Sequence, residues 1–280
     1  MRYVADGDKG YVRLIQSPTN DAVNDITISS GDTGAAASNK DGTGSVLTAG
    51  EKVVVAAARM STNRGLKGDD SDLKLLEYLY RNQHTSPFEM TNVTVDIHAP
   101  LFVITHFLRH RTGKFNQFSA RYSTFTNEDY YYPPLNAERQ FTEQQRELFV
   151  EASESLVGIY GIYQKMLDAG VSSEIARFCL PQSQYSTLRM QFDLSNLLKL
   201  LTLRCDSHAQ LETRQYANAI VELVRPHYPN IFRLWDERRE SVVLSPAEIQ
   251  ALRSGTDLQT TSASQKAEWE KKKKLLTAVN

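Results

Sequence analysis

Alternation between hydrophobic and polar residues predicts three β-strands in this chain, at residues 10–16, 91–98 and 184–192. Apolar residues spaced three and four apart predict helices between and after these strands. The predicted helices cover residues 51–60, 72–82, 100–108, 142–170, a short segment from 173 that carries Arg177, 193–203 and 207–224. This order is typical of an α/β (α+β) fold, so we expect helices packed around a small mixed sheet.

Capping residues indicate where several of these helices begin. Thr142 and Gln145 have the spacing of a capping box, in which each side chain bonds the other residue's backbone N–H. Short polar side chains accept hydrogen bonds from the first turn of a helix. Further caps are expected at Ser71 or Asp70, at Ser173 and at Asp193.

The composition of the chain changes at two places, which defines the expected domain organisation. Residues 17–50 are rich in Ser, Thr, Asn, Asp, Gly and Ala, so we predict a flexible insertion there. Residues 1–244 are expected to form a single catalytic domain that includes this insertion. Residues 245–280 are predicted to be a polar, helical C-terminal extension, in which the run 271–274 of four lysines is interpreted as a solvated face.

Charge and cysteine content narrow the class of protein. The 280 residues carry a formal net charge of −1, which argues against a general nucleic-acid coat and restricts any phosphate recognition to a local site. Two cysteines give no disulfide framework and no metal-ligand spacing. No signal peptide is visible, and apolar runs are shorter than the roughly 20 residues of a membrane span. We therefore expect a cytoplasmic protein with no metal, no nucleic acid and no membrane among its partners.

The most informative segment follows the apolar residues 100–108. It reads Arg-His-Arg-Thr-Gly-Lys-Phe-Asn-Gln-Phe-Ser-Ala-Arg from residue 109 to 121. Arginines at the exit of a core helix need an anionic partner, and the planar guanidinium fork matches the oxygens of a phosphate group. The segment therefore indicates a phosphate-bearing ligand.

The pattern Arg-His-Arg, seven residues and Ser at positions 109–119 resembles the signature of the flavin-dependent thymidylate synthases. Further blocks similar to this family occur in the same order, between roughly residues 51 and 228. They are Ala-Arg-Met-Ser at 58–61, Leu-Glu-Tyr-Leu at 76–79, Gln-His-Thr-Ser-Pro-Phe-Glu at 83–89, Glu-Ile-Ala-Arg at 174–177, Leu-Pro at 180–181 and Leu-Arg-Cys-Asp-Ser-His-Ala-Gln at 203–210.

The resemblance implies a function and an assembly. It implies reductive methylation of dUMP to dTMP, with methylene-tetrahydrofolate as the one-carbon donor and NADPH-reduced FAD as the hydride source. It also implies a homotetramer whose active sites lie between subunits. The chain lacks Gly-x-Gly-x-x-Gly, so a Rossmann turn is not expected to bind the FAD.

The same resemblance assigns individual residues. Arg204 is implied as the catalytic residue that polarises the N3–C4=O edge of uracil. The residues implied to bind substrate are His106, Arg109, Gln117, Ser119, Arg121, Arg177 and Arg204. The residues implied to bind the flavin cofactor are His84, Ser86, Arg109, His110, Arg111, Gln117, Asp193, Lys199 and His208.

The chemistry of uracil supports the role of Arg204. C5 is a poor nucleophile until the ring becomes electron-rich, and no cysteine is an obvious nucleophile for C6. Cys179 lies in an apolar Phe-Cys-Leu run, which indicates packing. No general base is evident beside Ser119. Without a covalent nucleophile, a cation held against the N3–C4=O edge can polarise the ring, which is the role that the resemblance implies for Arg204.

Four positions depart from the family pattern and keep alternatives open. His106 stands where Gln is common, Gln117 where Glu is common, and Asp193 and Lys199 where Asn is usual. The first alternative is a related flavin enzyme that modifies another pyrimidine nucleotide, such as dCMP, or gives a hydroxymethyl product. The second is a non-enzymatic nucleotide- or RNA-binding protein that uses the Arg-His-Arg segment.

Overall fold

The centre of the fold is a pair of nine-residue antiparallel strands. A computed structural model describes residues 10–17, 24–28, 47–125, 130–133 and 141–277, and all structural statements concern these residues. Its five-stranded sheet has the order β2-β1-β3-β5-β4. The strands are β1 (Gly10–Gln16), β2 (Asn24–Ile28), β3 (Asn92–Pro100), β4 (Lys114–Gln117) and β5 (Tyr185–Asp193).

Ten α-helices accompany the sheet in the described part of the chain, together with short 3-10 turns such as Ser86–Met90. The α-helices are α1 (Ala49–Arg59), α2 (Asp69–Arg81), α3 (Leu101–Leu108), α4 (Glu143–Asp168), α5 (Ser173–Ala176), α6 (Leu194–Arg204), α7 (Leu211–Val224), α8 (Pro229–Glu240), α9 (Pro246–Ser254) and α10 (Ala263–Thr277).

The two faces of the sheet differ in polarity because side chains alternate along each strand. Val95 and Ile97 of β3 and Leu188 and Met190 of β5 are at most 1% exposed and form the core. Helices α3, α6 and α7 pack against these strands. The opposite face is polar and includes Asp96, which accepts hydrogen bonds of 2.7 and 2.8 Å from the Arg189 guanidinium.

The predicted α/β class and its helices around a small sheet are confirmed, but the prediction of a mixed sheet is wrong. Each strand pair in the described residues is antiparallel, including β1 with β3 and β3 with β5. Periodicity identifies a strand from local residues, whereas the direction of its neighbour depends on contacts between distant segments. The four residues of β4 were too few to be recognised as a strand.

The segment predicted as a flexible insertion contains regular structure. Strand β2 lies within residues 17–50 and pairs along β1, and residues 49 and 50 begin α1. The flexible insertion itself stays a prediction, although β2 and the start of α1 are regular elements within these residues. Residues 18–23 and 29–46 of this segment lie outside the described residues.

Two of the expected caps differ in the structure. Helix α2 begins at Asp69, before the expected caps Ser71 and Asp70, and its N-cap is Gly68. The buried carboxylate of Asp72 accepts backbone N–H groups of Lys67 and Gly68 at 3.0 and 3.2 Å, which fixes this earlier start. Ser173 lies inside α5 and donates its hydroxyl to the Arg121 carbonyl at 2.8 Å instead of capping the helix. The capping box of Thr142 with Gln145 and the cap at Asp193 are confirmed.

The chain divides into two units, Met1–Phe232 and Arg233–Asn280. In the second unit, Ser245 and Glu248 form a capping box at the start of α9. Lys272 contacts Glu248 and Lys273 contacts Asp257, each at 3.0 Å. Two lysines of the run 271–274 are therefore paired with carboxylates of their own unit.

A buried carboxylate joins two helix starts in the first unit. Glu51 is fully buried, and its Oε1 accepts the backbone N–H groups of Asn230 and Ile231 at 2.6 and 3.2 Å. Its Oε2 accepts the Asn230 side-chain amide at 2.8 Å and the Thr48 N–H at 3.2 Å. The first N–H groups of a helix have no partner inside the helix, so Glu51 satisfies donors of both α1 and α8.

We expect the substitution Glu51→Ala to lower the free energy of unfolding by about 2–4 kcal/mol, because it leaves buried N–H donors without an acceptor. Urea unfolding followed by circular dichroism measures this change. Glu147→Ala, at an exposed position of α4, is the matched control and should change stability by less than about 0.5 kcal/mol. Equal effects of the two substitutions would contradict the role given to Glu51.

Candidate active site

The guanidinium of Arg204 brings together two segments that are far apart in the sequence. Arg204 is the last residue of α6, and its Nη2 donates to the backbone carbonyl of His106 near the end of α3, at 2.9 Å. Its Nε donates to Nε2 of His110 at 2.9 Å. We call Arg204, His106, His110 and Thr213 the Arg204 cluster. Three of these residues were predicted to be functional, and the structure places them in contact.

The bond to Arg204 determines the protonation state of His110. Since a guanidinium can only donate, His110 Nε2 must accept, and its proton is on Nδ1. Burial and the neighbouring charge of Arg204 lower the pKa of His110 to about 4. Burial also lowers the pKa of Arg204, which stays far above neutral pH. At neutral pH the pair is therefore a cation bonded to a neutral imidazole.

His106 is held at both its backbone and its side chain. Its Nδ1 lies 2.7 Å from the hydroxyl of Thr213, which is fully buried in the first turn of α7. Burial lowers the pKa of His106, as do the charges of Arg204 and Arg109, while Glu212 opposes this effect. Both histidines of the cluster are consequently neutral donors or acceptors at physiological pH.

The signature continues from the cluster onto the edge of the sheet. Gly113 lies against the ring of Phe192, where an added Cβ would approach a ring carbon to 2.2 Å, so only glycine fits. Gln117 ends β4 opposite Leu188 of β5. The Ser119 hydroxyl oxygen then accepts the backbone N–H of Arg121 at 3.3 Å. Ser119 and Arg121 therefore follow directly after Gln117, the last residue of the edge strand β4.

Two of the arginines that were predicted to bind substrate contact the same acidic residue. The Nε of Arg121 contacts the Glu174 carboxylate at 3.0 Å, and both side chains are about half exposed. The Nε of Arg177 donates to the Glu174 backbone carbonyl at 3.3 Å. We call Arg121 and Arg177 the arginine pair. An exposed ion pair contributes little to stability, so a dianionic phosphate can compete for these guanidinium groups.

His84 and Ser86 lie at a cavity of about 440 Å³ beside α1 and α2. Helix α2 ends where Gln83 takes a left-handed φ of 57° and His84 donates its N–H to the Leu79 carbonyl at 2.9 Å. The cavity is within the roughly 300–1,000 Å³ of small-molecule sites. Its other lining residues are mostly apolar: Ala57, Ala58, Met60, Ser61, Leu79, Pro87 and Met90. Mostly apolar walls with three polar residues, Ser61, His84 and Ser86, suit a planar ring system, so these residues fit part of a flavin.

The remaining predicted residues do not join the Arg204 cluster in one chain. Both carboxylate oxygens of Asp193 are bonded to Asn196, at 2.8 and 2.7 Å, at the opposite end of α6 from Arg204. Lys199 is exposed on the same helix, and His208 is exposed with its Nδ1 2.7 Å from Asp206. Arg109 and Arg111 are also exposed, next to the cluster in sequence.

Sequence analysis missed three residues that shape the site. Thr213 bonds His106, Glu174 meets the arginine pair, and buried Glu212 accepts a hydrogen bond from the Tyr131 hydroxyl. Glu174 belongs to a block that was recognised, yet only its arginine was given a role. For Glu212 the available signal was an acidic residue within an apolar helix face, which requires a buried partner.

The described residues show neither a metal-binding cluster nor a membrane-spanning helix. They contain no group of three or more His, Cys, Asp or Glu side chains that could hold a metal ion. Within the same part of the chain, no helix combines the length and the apolar character needed to cross a bilayer.

The low pKa of His110 predicts how stability depends on pH. As the pH falls below the usual histidine value of about 6.5, the unfolded chain binds a proton at His110 and the folded chain does not. The free energy of unfolding is therefore unaffected by His110 above pH 6.5, and it decreases as the pH falls from 6.5 towards about 4. The measurement is urea unfolding between pH 7 and pH 4 of the wild type and of His110→Gln, which keeps an acceptor but cannot titrate. The wild type should lose more stability than the variant, and parallel curves would contradict this assignment.

Comparison with known proteins identifies relatives of this chain. The family described as thymidylate synthase complementing protein matches residues 45–230. A flavin-dependent thymidylate synthase of Dictyostelium discoideum is 37% identical over 236 residues, which cover 80% of this chain and 78% of the relative. One of Thermus thermophilus is 36% identical over 211 residues and covers 72% and 78%.

A solved structure is also similar. The UMP/dUMP methylase PolB of Streptomyces cacaoi, crystallised with 5-Br dUMP, superimposes with a TM-score of 0.65 at 27% sequence identity. The match covers 81% of this chain and 95% of that structure. Since the family match extends over more than half of the chain and includes every member of the Arg204 cluster, the chain belongs to the flavin-dependent thymidylate synthase family.

Proposed function

We propose that this protein converts dUMP to dTMP by reductive methylation at C5, with the Arg204 cluster and the arginine pair as its substrate site. C5 of dUMP forms a bond to the methylene carbon of methylene-tetrahydrofolate. The bonds from this carbon to the folate nitrogens break, tetrahydrofolate and the C5 proton are released, and a hydride completes the methyl group. The observation that carries this proposal is the contact of Arg204 with both His106 and His110. Family membership removes the basis for the alternative of a non-enzymatic binding protein.

The arginine pair supports binding of the nucleotide phosphate. Arg121 and Arg177 already share Glu174, and both guanidinium groups are exposed. A phosphate carries close to two negative charges and offers several acceptor oxygens, whereas Glu174 offers one negative charge. We propose that the phosphate replaces Glu174 as the partner of Arg121, beside the Ser119 hydroxyl.

Arg204 is proposed to activate the base. Its Nε and Nη2 are used by His110 and His106, while Nη1 has no hydrogen-bond partner among the described residues. A partly buried guanidinium can stabilise negative charge that develops on the C4 oxygen when C5 attacks the methylene carbon. The two existing bonds fix the orientation of the guanidinium, so little reorganisation is needed during the reaction.

His84 and Ser86 are proposed to contact the flavin in the cavity beside α1 and α2, whose walls are mostly apolar. When bound, FAD supplies the hydride that it obtains from NADPH. The proposed cofactor site also includes three residues of the signature segment: His110, Arg111 and Arg109. Its other proposed members are Gln117, Asp193, Lys199 and His208. FAD is the cofactor of this family, whereas the NADPH and folate sites of this chain are proposals.

The distribution of these residues supports active sites shared between subunits. Asp193 and Arg204 are separated along α6 by about 16 Å, at about 1.5 Å per residue. Large apolar side chains beside the arginine pair are exposed: Tyr122 by 79%, Ile175 by 60% and Phe178 by 76%. Such a patch is typical of an interface. We propose that other copies of the chain cover it in a homotetramer. A cytoplasmic location is also proposed, in keeping with the two free cysteines.

UMP is a second candidate substrate, because the structural relative PolB is described as a UMP/dUMP methylase. dCMP is the other nucleotide that the substitutions at His106 and Gln117 leave open. The three nucleotides differ at the sugar 2′ position or at C4 of the base, so parallel assays separate them.

We expect release of tritium from dUMP labelled at C5, dependent on FAD, NADPH and methylene-tetrahydrofolate together. Release without methylene-tetrahydrofolate would contradict one-carbon transfer to C5. Turnover of UMP or dCMP with no turnover of dUMP by the flavin-loaded protein would contradict dUMP as the substrate.

Arg204→Lys should lower the rate about 100-fold, since Lys cannot make both bonds and present a third donor. Flavin absorbance should be retained by this variant, and Arg253→Lys in α9 is the control with an unchanged rate.

Arg177→Ala should weaken dUMP binding about 10- to 100-fold, because it removes a charge-assisted bond to phosphate. Its effect on deoxyuridine, which lacks the phosphate, should be small. Calorimetric titration of both ligands measures the difference, and Lys165→Ala on α4 removes an exposed charge as a control. Equal weakening of dUMP and deoxyuridine would contradict phosphate binding by Arg177.

A further inference from the structure

The hydroxyl of Thr213 contacts His106, a residue of the proposed substrate site. It is fully buried, and in the described part of the chain its one hydrogen-bond partner is Nδ1 of His106, at 2.7 Å. The helix that carries Thr213 is α7, whereas His106 belongs to α3, so the bond connects two elements that both flank Arg204. The family resemblance implies substrate binding for His106 but assigns no role to Thr213.

The direction of this hydrogen bond follows from the cost of an unsatisfied donor. If Nδ1–H donated to Thr213, the threonine O–H would be buried without an acceptor, which costs the full desolvation penalty of that donor. If Thr213 donates, only an oxygen lone pair is left empty, which costs less. Thr213 therefore donates and His106 Nδ1 accepts.

The consequence is a fixed tautomer. A neutral imidazole carries one proton, so an accepting Nδ1 places the proton on Nε2. The imidazole is neutral because burial, Arg204 and Arg109 lower its pKa, with Glu212 the one opposing charge. His106 thus offers a ligand an N–H donor at Nε2, as a glutamine amide could, and cannot offer an acceptor there.

We propose that Thr213 is a positioning residue that makes His106 a hydrogen-bond donor to the C4 oxygen of a uracil nucleotide. Arg204 donates to the His106 carbonyl, and its charge acts on the His106 imidazole, so the two side chains lie close together. The proposal places both donors at the same edge of the base. Cytosine has an amino group at C4, and this group would face two donors. The inference rests on the proposed function and specifies how the site distinguishes uracil from cytosine.

The first test measures the tautomer without any substrate. The chain has six histidines, so proton–nitrogen correlation spectra of the flavin-loaded, histidine-labelled protein contain few signals, and His106→Gln assigns the relevant one. We expect the proton of His106 on Nε2 in the wild type and in Thr213→Ser. In Thr213→Val, which removes the hydroxyl and keeps the shape, both tautomers should appear. A proton on Nδ1 in the wild type would overturn the proposal.

The second test measures binding of dUMP and dCMP to the same flavin-loaded proteins by calorimetry. Thr213→Val should weaken dUMP binding about 3- to 10-fold, the equivalent of one neutral hydrogen bond, and leave dCMP binding unchanged. Thr213→Ser should restore the wild-type preference. Thr91→Val removes a buried hydroxyl that contacts the Tyr228 hydroxyl at 2.8 Å and is the matched control.

The outcomes separate this inference from the proposed function. Equal weakening of dUMP and dCMP, or no weakening of either, overturns the role of Thr213 while dUMP methylation stands. If the wild type binds no dUMP, the proposed function fails and uracil recognition by His106 fails with it. In that case the tautomer measured in the first test still reports whether Thr213 donates to His106.

Discussion

The position of Arg204 between two helix ends is the interaction on which the site depends. Helices α3 and α6 both end here, and each C-terminus carries unsatisfied carbonyls and a partial negative charge. Two such ends repel each other when they meet. The Arg204 guanidinium offsets this repulsion, because it is charged and donates to the His106 carbonyl of α3 while remaining attached to α6. The same positive charge is then available to a substrate. Arg204 therefore holds the two helix ends together and also supplies the charge that is proposed to stabilise the C4 oxygen.

Burial and the charge of Arg204 together explain why the two histidines of the cluster are neutral. Partial burial is the larger cause of the lowered pKa values of His106 and His110, and the fixed cation beside them makes a second positive charge still less favourable. The site therefore separates two functions. The arginines provide charge that does not change with pH, and the imidazoles provide directional hydrogen bonds whose polarity is set by Arg204 in one case and by Thr213 in the other.

The sequence predicted those features that depend on neighbouring residues. The capping box at Thr142 and the cap at Asp193 are local patterns, and both are present. The antiparallel direction of the strands and the pairing of β4 with β5 depend on contacts across the chain, so periodicity could not supply them. In the site, the resemblance identified His106, His110 and Arg204, which do meet. It gave no indication of Thr213, because the hydroxyl acquires its role only when α7 packs against α3.

The environment of the possible nucleophiles favours electrostatic activation of the base. Cys179 donates its thiol to the Ala176 carbonyl at 3.4 Å and packs in an aromatic cluster, and Cys205 is buried just beyond α6. The Ser119 oxygen accepts a backbone N–H, and in the described residues no imidazole or carboxylate is bonded to it as a base. A covalent adduct at C6 would require one of these groups to be exposed and activated. Arg204 needs neither change, because its charge is permanent and its orientation is already fixed by two hydrogen bonds.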